Sequence, residues 1–151
     1  MLKTTDEIQL LAERFENEFS ESSAVMPTFA ELAYEIIQKK GWGYKEFVEN
    51  TNLNAASYYR IKDNEESNTT LRTVAAFCFG IRANIDIANK LFAAAGFAIN
   101  NSKEIHAYRF VINVMRGRSI DECNAFLETI GVEPLGVIGG RSKKFSKRVK
   151  N

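Results

Sequence analysis

Proline is nearly missing from this chain: only Pro27 and Pro134 stand among 151 residues. The long stretch between them carries few breakers, whereas a turn-rich β architecture needs many. The chain is therefore expected to be all-α. Helix starts are written into it as well. Thr4-x-x-Glu7, Thr28-x-x-Glu31 and Ser119-x-x-Glu122 have the form of a capping box. In that motif a hydroxyl and a carboxylate each answer a free backbone N–H. Apolar residues then recur at helical spacing: Ile8, Leu11, Phe15 and Phe19 after the first, Phe29, Leu32, Ala33, Ile36 and Ile37 after the second. Ile120, Cys123, Phe126 and Leu127 follow the third.

About eight helices are expected. The first begins at Thr4 or Thr5, and the others cover residues 28–40, 44–51, 55–63, 70–81, 85–95, 101–116 and 119–130. Gly41, Gly96 and Gly131 stand where a helix C-terminus favours glycine. Ser20-Glu21-Ser22-Ser23 reads as a linker, and Pro134-Leu135-Gly136 as the end of the ordered body. The expected organisation is a helix and linker over 1–23, a domain over 24–97, a helical extension over 98–136 and a basic flexible tail over 137–151.

Several function classes are disfavoured. No apolar run approaches the roughly 20 residues that span a bilayer. The start, Met1-Leu2-Lys3-Thr4-Thr5-Asp6-Glu7, lacks the pattern of a secretory signal. A cytoplasmic protein with no membrane partner is expected. Cys78 and Cys123 lie in apolar helical contexts and read as buried, reduced thiols. His106 is the single histidine and has no metal-ligand partner at ligand spacing. Glycine-rich phosphate loops, HExxH and a nucleophile elbow do not occur. No enzyme, cofactor or metal is expected.

Charge is unevenly placed. The net charge is +1, from 20 basic and 19 acidic residues. Residues 141–150 hold six of the basic side chains and no acid, which leaves a mildly acidic body and a strongly basic tail. Such a tail can neutralise phosphates.

The most informative stretch is residues 41–63, with two short helices joined at Thr51-Asn52-Leu53. A turn this brief forces a steep crossing, the geometry of a helix-turn-helix. Asn52 suits a left-handed backbone there, and Asn54 suits the next N-cap. Phe47, Val48, Leu53, Tyr58, Ile61, Val74 and Phe77 are expected to be buried together. The far side of the second helix, with Ala55, Ala56, Tyr59 and Arg60, is then free to enter a major groove.

These residues resemble the Xre (Cro/C1-type) helix-turn-helix family of bacterial and phage regulators. The resemblance rests on Gly41, Val48, Leu53-Asn54, Tyr58-Tyr59-Arg60-Ile61 and the downstream Leu71-x-Thr73-Val74-x-x-Phe77, and covers about residues 28–96. Ser119 through Gly136 is similar to a C-terminal extension seen in some members. The resemblance implies a helical bundle holding a lambda-repressor-like helix-turn-helix domain, with extra N- and C-terminal helices. It further implies double-stranded DNA as partner and transcription regulation as function. Its DNA-binding residues would be Tyr44, Lys45, Asn54, Ala55, Ala56, Ser57, Tyr59, Arg60 and Lys62. Such modules act as dimers, so a homodimer is expected, its surface supplied by the helices after Gly96.

Three departures point the other way. Gly43-Tyr44 stand where the family has Ser/Thr-Gln, Ala55 and Ala56 replace polar groups, and Glu65 and Glu66 would repel phosphate. Alanine can touch a thymine methyl but cannot pair with adenine through an amide. The alternative is a protein-interaction module derived from the same fold, antitoxin-like or phage-encoded, with weak or no DNA binding.

Overall fold

A computed structural model describes residues 2–65 and 69–136. The expected basic tail and Glu66 lie outside the described residues. Among the described residues there are eight helices and no strand. They are α1 (Leu2–Val25), α2 (Phe29–Lys40), α3 (Tyr44–Thr51), α4 (Ala55–Lys62), α5 (Leu71–Gly80), α6 (Ile85–Ala94), α7 (Lys103–Val114) and α8 (Ile120–Thr129). No helix among them is long and apolar enough to cross a membrane.

Local chemistry sets most helix ends. Thr28 caps α2 with both halves of the box in place: its hydroxyl accepts from Glu31 N–H, and its own N–H donates to Glu31 Oε1. Lys39 and Lys40 lie in the last turn, and Gly41 closes the helix at φ 70°. Ser119 makes only the forward half of its box, accepting from Glu122 N–H. The Glu122 carboxylate takes the Ser119 hydroxyl and Arg118 instead. These contacts hold the carboxyl below the usual range, Arg118 most of all.

α5 is the centre of the core. Every residue from Val74 to Phe79 is buried, and α3, α6 and α7 pack against it. Phe29 and Phe47 meet Phe77 at ring-centroid distances of 5.8 and 6.2 Å. Leu91, Phe92, Tyr108, Val111, Ile112, Cys123 and Leu127 continue the same cluster into α6, α7 and α8. Residues on both sides of position 97 thus share one core. Each of these larger side chains stabilises the fold by about 1.5–3 kcal/mol on burial.

The N-terminal segment departs from expectation in two ways. α1 begins at Leu2, so Thr4-x-x-Glu7 does not open it. It also runs unbroken through residues 20–23, where a linker was expected. Serine and glutamate are tolerated in a helix once it has been nucleated, and no glycine or proline interrupts the run. The apolar spacing is helical as expected, but nothing among the described residues covers it. Every residue from Thr4 to Glu21 is exposed.

After α8 the chain returns as a strap, residues 132–136. The Tyr108 hydroxyl donates to Glu133 O at 2.9 Å, and Arg72 Nε and Nη2 donate to Pro134 O at 3.1 and 2.9 Å. Leu135 is fully buried, and its N–H donates to Asn124 Oδ1 at 2.7 Å. Its carbonyl accepts from Asn124 Nδ2 and from Asn52 Nδ2 at 3.1 and 2.9 Å. The strap therefore ends against the turn between α3 and α4.

Candidate nucleic-acid interface

The turn that joins α3 to α4 is short and fully bonded. Asn52 adopts φ 61°, the expected left-handed conformation, and its N–H donates to Val48 O. The Thr51 hydroxyl donates to Phe47 O at 2.7 Å and accepts from Leu53 N–H at 3.2 Å. Asn54 caps α4 by accepting from Ser57 N–H at 2.9 Å. Phe47, Leu53, Ile61, Val74 and Phe77 are buried together as expected, while Val48 and Tyr58 are half-buried against them. The Phe47 and Tyr58 rings meet edge to face at 5.5 Å.

This packing decides what α4 can offer. Ile61 anchors one side of the helix. Ala56, Tyr59 and Lys62 are exposed, with Tyr59 48% open, and Ala55 is half-buried. Tyr44 and Lys45 are exposed at the start of α3. There Gly43, with no side chain to give, donates its N–H to Glu46 Oε1 at 2.9 Å, so only half of a capping box is made. Two expected contact residues are otherwise engaged. The Asn54 carbonyl oxygen takes both the N–H and the hydroxyl of Ser57, which closes that pair into the cap.

Arg60 does not share the outward face with Tyr59. It is half-buried and lines a cleft of about 330 Å³ with Leu53, Asn54, Ser57, Thr70, Arg72, Thr73 and Gly136. Neither Asp63 nor Glu49 forms an ion pair with it, and its guanidinium makes no ion pair among the described residues. The N-termini of α4 and α5 both open on this cleft, and helix N-termini carry partial positive charge. Thr70, Arg72, Thr73 and Gly136 are not among the contact residues expected from the sequence. They reach the cleft through the fold, because Arg72 is drawn there by Pro134 O and the strap brings in Gly136.

No family model, curated protein or solved structure matches this chain.

Other chemistry is weakly represented. Among the described residues no group of three potential metal ligands occurs, and His106 is exposed. Cys78 and Cys123 are free and buried. Burial pushes the Cys78 thiol far up and the Cys123 thiol up to about 12, so neither is a ready nucleophile at neutral pH. On the acidic side, Glu65 is exposed beyond α4, its N–H held by Arg60 O at 2.8 Å.

Proposed function

We propose that this chain is a DNA-binding transcription regulator of the Xre type, with α3 and α4 as its helix-turn-helix. In this reading α4 enters the major groove, whose width of about 12 Å admits a helix. The observation that carries the reading is the state of α4. One side is anchored in the core through Ile61, the other shows Ala56, Tyr59 and Lys62, and Arg60 has no carboxylate partner among the described residues. Tyr44 and Lys45 stand exposed for phosphate contacts, which position a protein without reading sequence.

The contacts open to each residue are uneven. Ala55 and Ala56 offer methyl groups, which suit thymine. Arg60 is the long cationic donor of α4 nearest the cleft. It reaches a guanine edge or a phosphate according to how the cleft meets the duplex. Asn54 and Ser57 act here by holding the N-terminus of α4 rather than by touching bases.

A second reading keeps the fold as a protein-interaction module. The closed Asn54–Ser57 pair, the two alanines and the exposed Glu65 favour it, since each removes a donor or adds repulsion on the reading face.

One titration separates the two. Binding is measured on a preferred duplex, selected from genomic fragments, and on a scrambled one, at two salt concentrations. Arg60→Ala should weaken binding to the preferred duplex by about 1–3 kcal/mol and flatten the preference. Deleting residues 141–151 should weaken both duplexes alike and reduce the salt slope, because fewer counterions are released. An intact protein that binds no duplex at low salt rejects the DNA reading and leaves the interaction module.

A further inference from the structure

α1 carries the largest uncovered apolar face among the described residues. Ile8, Leu11, Phe15 and Phe19 are 60%, 62%, 62% and 58% exposed. With Ala12 they form a stripe along one side, at separations of three and four residues. Phe15 and Phe19 stack at 6.0 Å, so the stripe is already arranged as a surface. A helix in water draws most of its stability from a packed apolar face, and among the described residues α1 has none.

From these observations we infer that α1 pairs with α1 of a second copy, antiparallel, and is the dimerisation arm of this protein. Four of the five stripe residues are self-complementary in that direction, and Leu11 falls opposite the stem of the partner's Glu16. Laid antiparallel about a two-fold axis between Glu13 and Arg14, Ile8 faces the partner's Phe19, and Ala12 faces the partner's Phe15. Each large ring then meets a smaller side chain, and each contact occurs twice, as a two-fold interface requires. A parallel pairing in register stacks Phe15 on Phe15 and leaves a gap at Ala12.

The area is sufficient. An aromatic side chain buries about 150–250 Å² and an aliphatic one somewhat less, so Ile8, Leu11, Phe15 and Phe19 at their present exposure offer about 450 Å² per copy. Ala12 and the stems of Gln9, Glu16 and Glu18 bring the pair to the roughly 1,000 Å² that a specific interface needs. Charge argues against an anionic lipid surface as the occupant, because α1 holds six acidic side chains against Lys3 and Arg14. The helices after Gly96 are the weaker candidate. Of the larger apolar side chains described there, α7 leaves only Phe110 and Val114 exposed, with Ile99 in the loop before it, and Phe110 stacks on Phe126 at 5.4 Å.

This inference does not depend on DNA binding. Its test is sedimentation equilibrium of the full chain at micromolar concentration. The expected mass is twice the 17.0 kDa of one chain, falling to one chain for Leu11→Asp/Phe15→Asp. These side chains lie outside the core, so the near-ultraviolet signal of Trp42 and Tyr108 should persist in the variant. Direction is read by oxidising Ile8→Cys and Phe19→Cys chains, alone and mixed. Eleven residues of helix span about 16 Å, beyond the reach of a disulfide, so the antiparallel pair cross-links only in the mixture. A monomeric wild type, a dimer that survives Leu11→Asp/Phe15→Asp, or cross-linking of either single variant with itself overturns the proposal.

Discussion

Gly136 takes a φ of 70° with its α-carbon pressed against the backbone of Asn52, so an added methyl group would collide with the Asn52 carbonyl. Backbone, not a flexible side chain, is what it would meet. Gly136→Ala should therefore lower stability by at least about 1–2 kcal/mol from the left-handed backbone alone, read as an earlier denaturant midpoint. Leu53 is only 5% exposed, and Leu53→Ala should cost roughly 2–5 kcal/mol through the cavity it leaves. The two differ in what the sequence discloses. Leu53 sits inside a recognisable local pattern, and its burial follows from that pattern. Gly136 is needed because of a residue 84 positions away, and no local signal records that.

Helix boundaries were legible because caps act within four residues. Thr28, Asn54 and Ser119 each bond the backbone N–H three positions on. α4 is the element where this matters most, since it is eight residues long and cannot sustain itself. Asn54→Ala should cost about 1 kcal/mol in chemical denaturation. It should also loosen the N-terminus of α4, seen as faster amide exchange at Ser57. The fate of α1 was not legible in the same way. Periodicity specifies a helix with an apolar side but not whether the body covers it, and the missing cover is a tertiary fact. The linker expected at 20–23 is helix for a related reason: polar composition suggests a break, while the backbone preferences of those residues allow a helix.

For the whole molecule, one core spans α2 to α8, and it holds groups that resist ionisation. Burial raises the thiols of Cys78 and Cys123, the latter to about 12. Burial, with Glu104 and Glu133 nearby, raises Tyr108 as well. A free thiol titrates near 8.5. Above that pH the unfolded chain releases thiol protons that the folded chain keeps, so folding loses ground as pH rises toward 12. Below it these groups contribute no slope. Melting temperature should therefore fall progressively from about pH 9 upward, and Cys123→Ala should flatten part of that fall. The candidate interface shows the same limit of local reading. Of the α4 residues expected to face outward, Ala56 and Tyr59 do so, whereas Arg60 turns into a cleft that Thr70, Arg72, Thr73 and Gly136 join only once the chain has folded back on itself.

The strap also sets an order of events during synthesis. The Asn52 carboxamide is answered by Leu135, 83 residues later. At about 5–20 residues per second, a ribosome takes roughly 4–17 s to make the intervening chain. Through that interval the α3–α4 turn exists without its last partner, and Arg72 lacks the carbonyl that fixes it. A nascent chain that has already made both short helices is thus not yet equipped with the finished cleft. The surface proposed to meet DNA is completed only after α7 and α8 have been made.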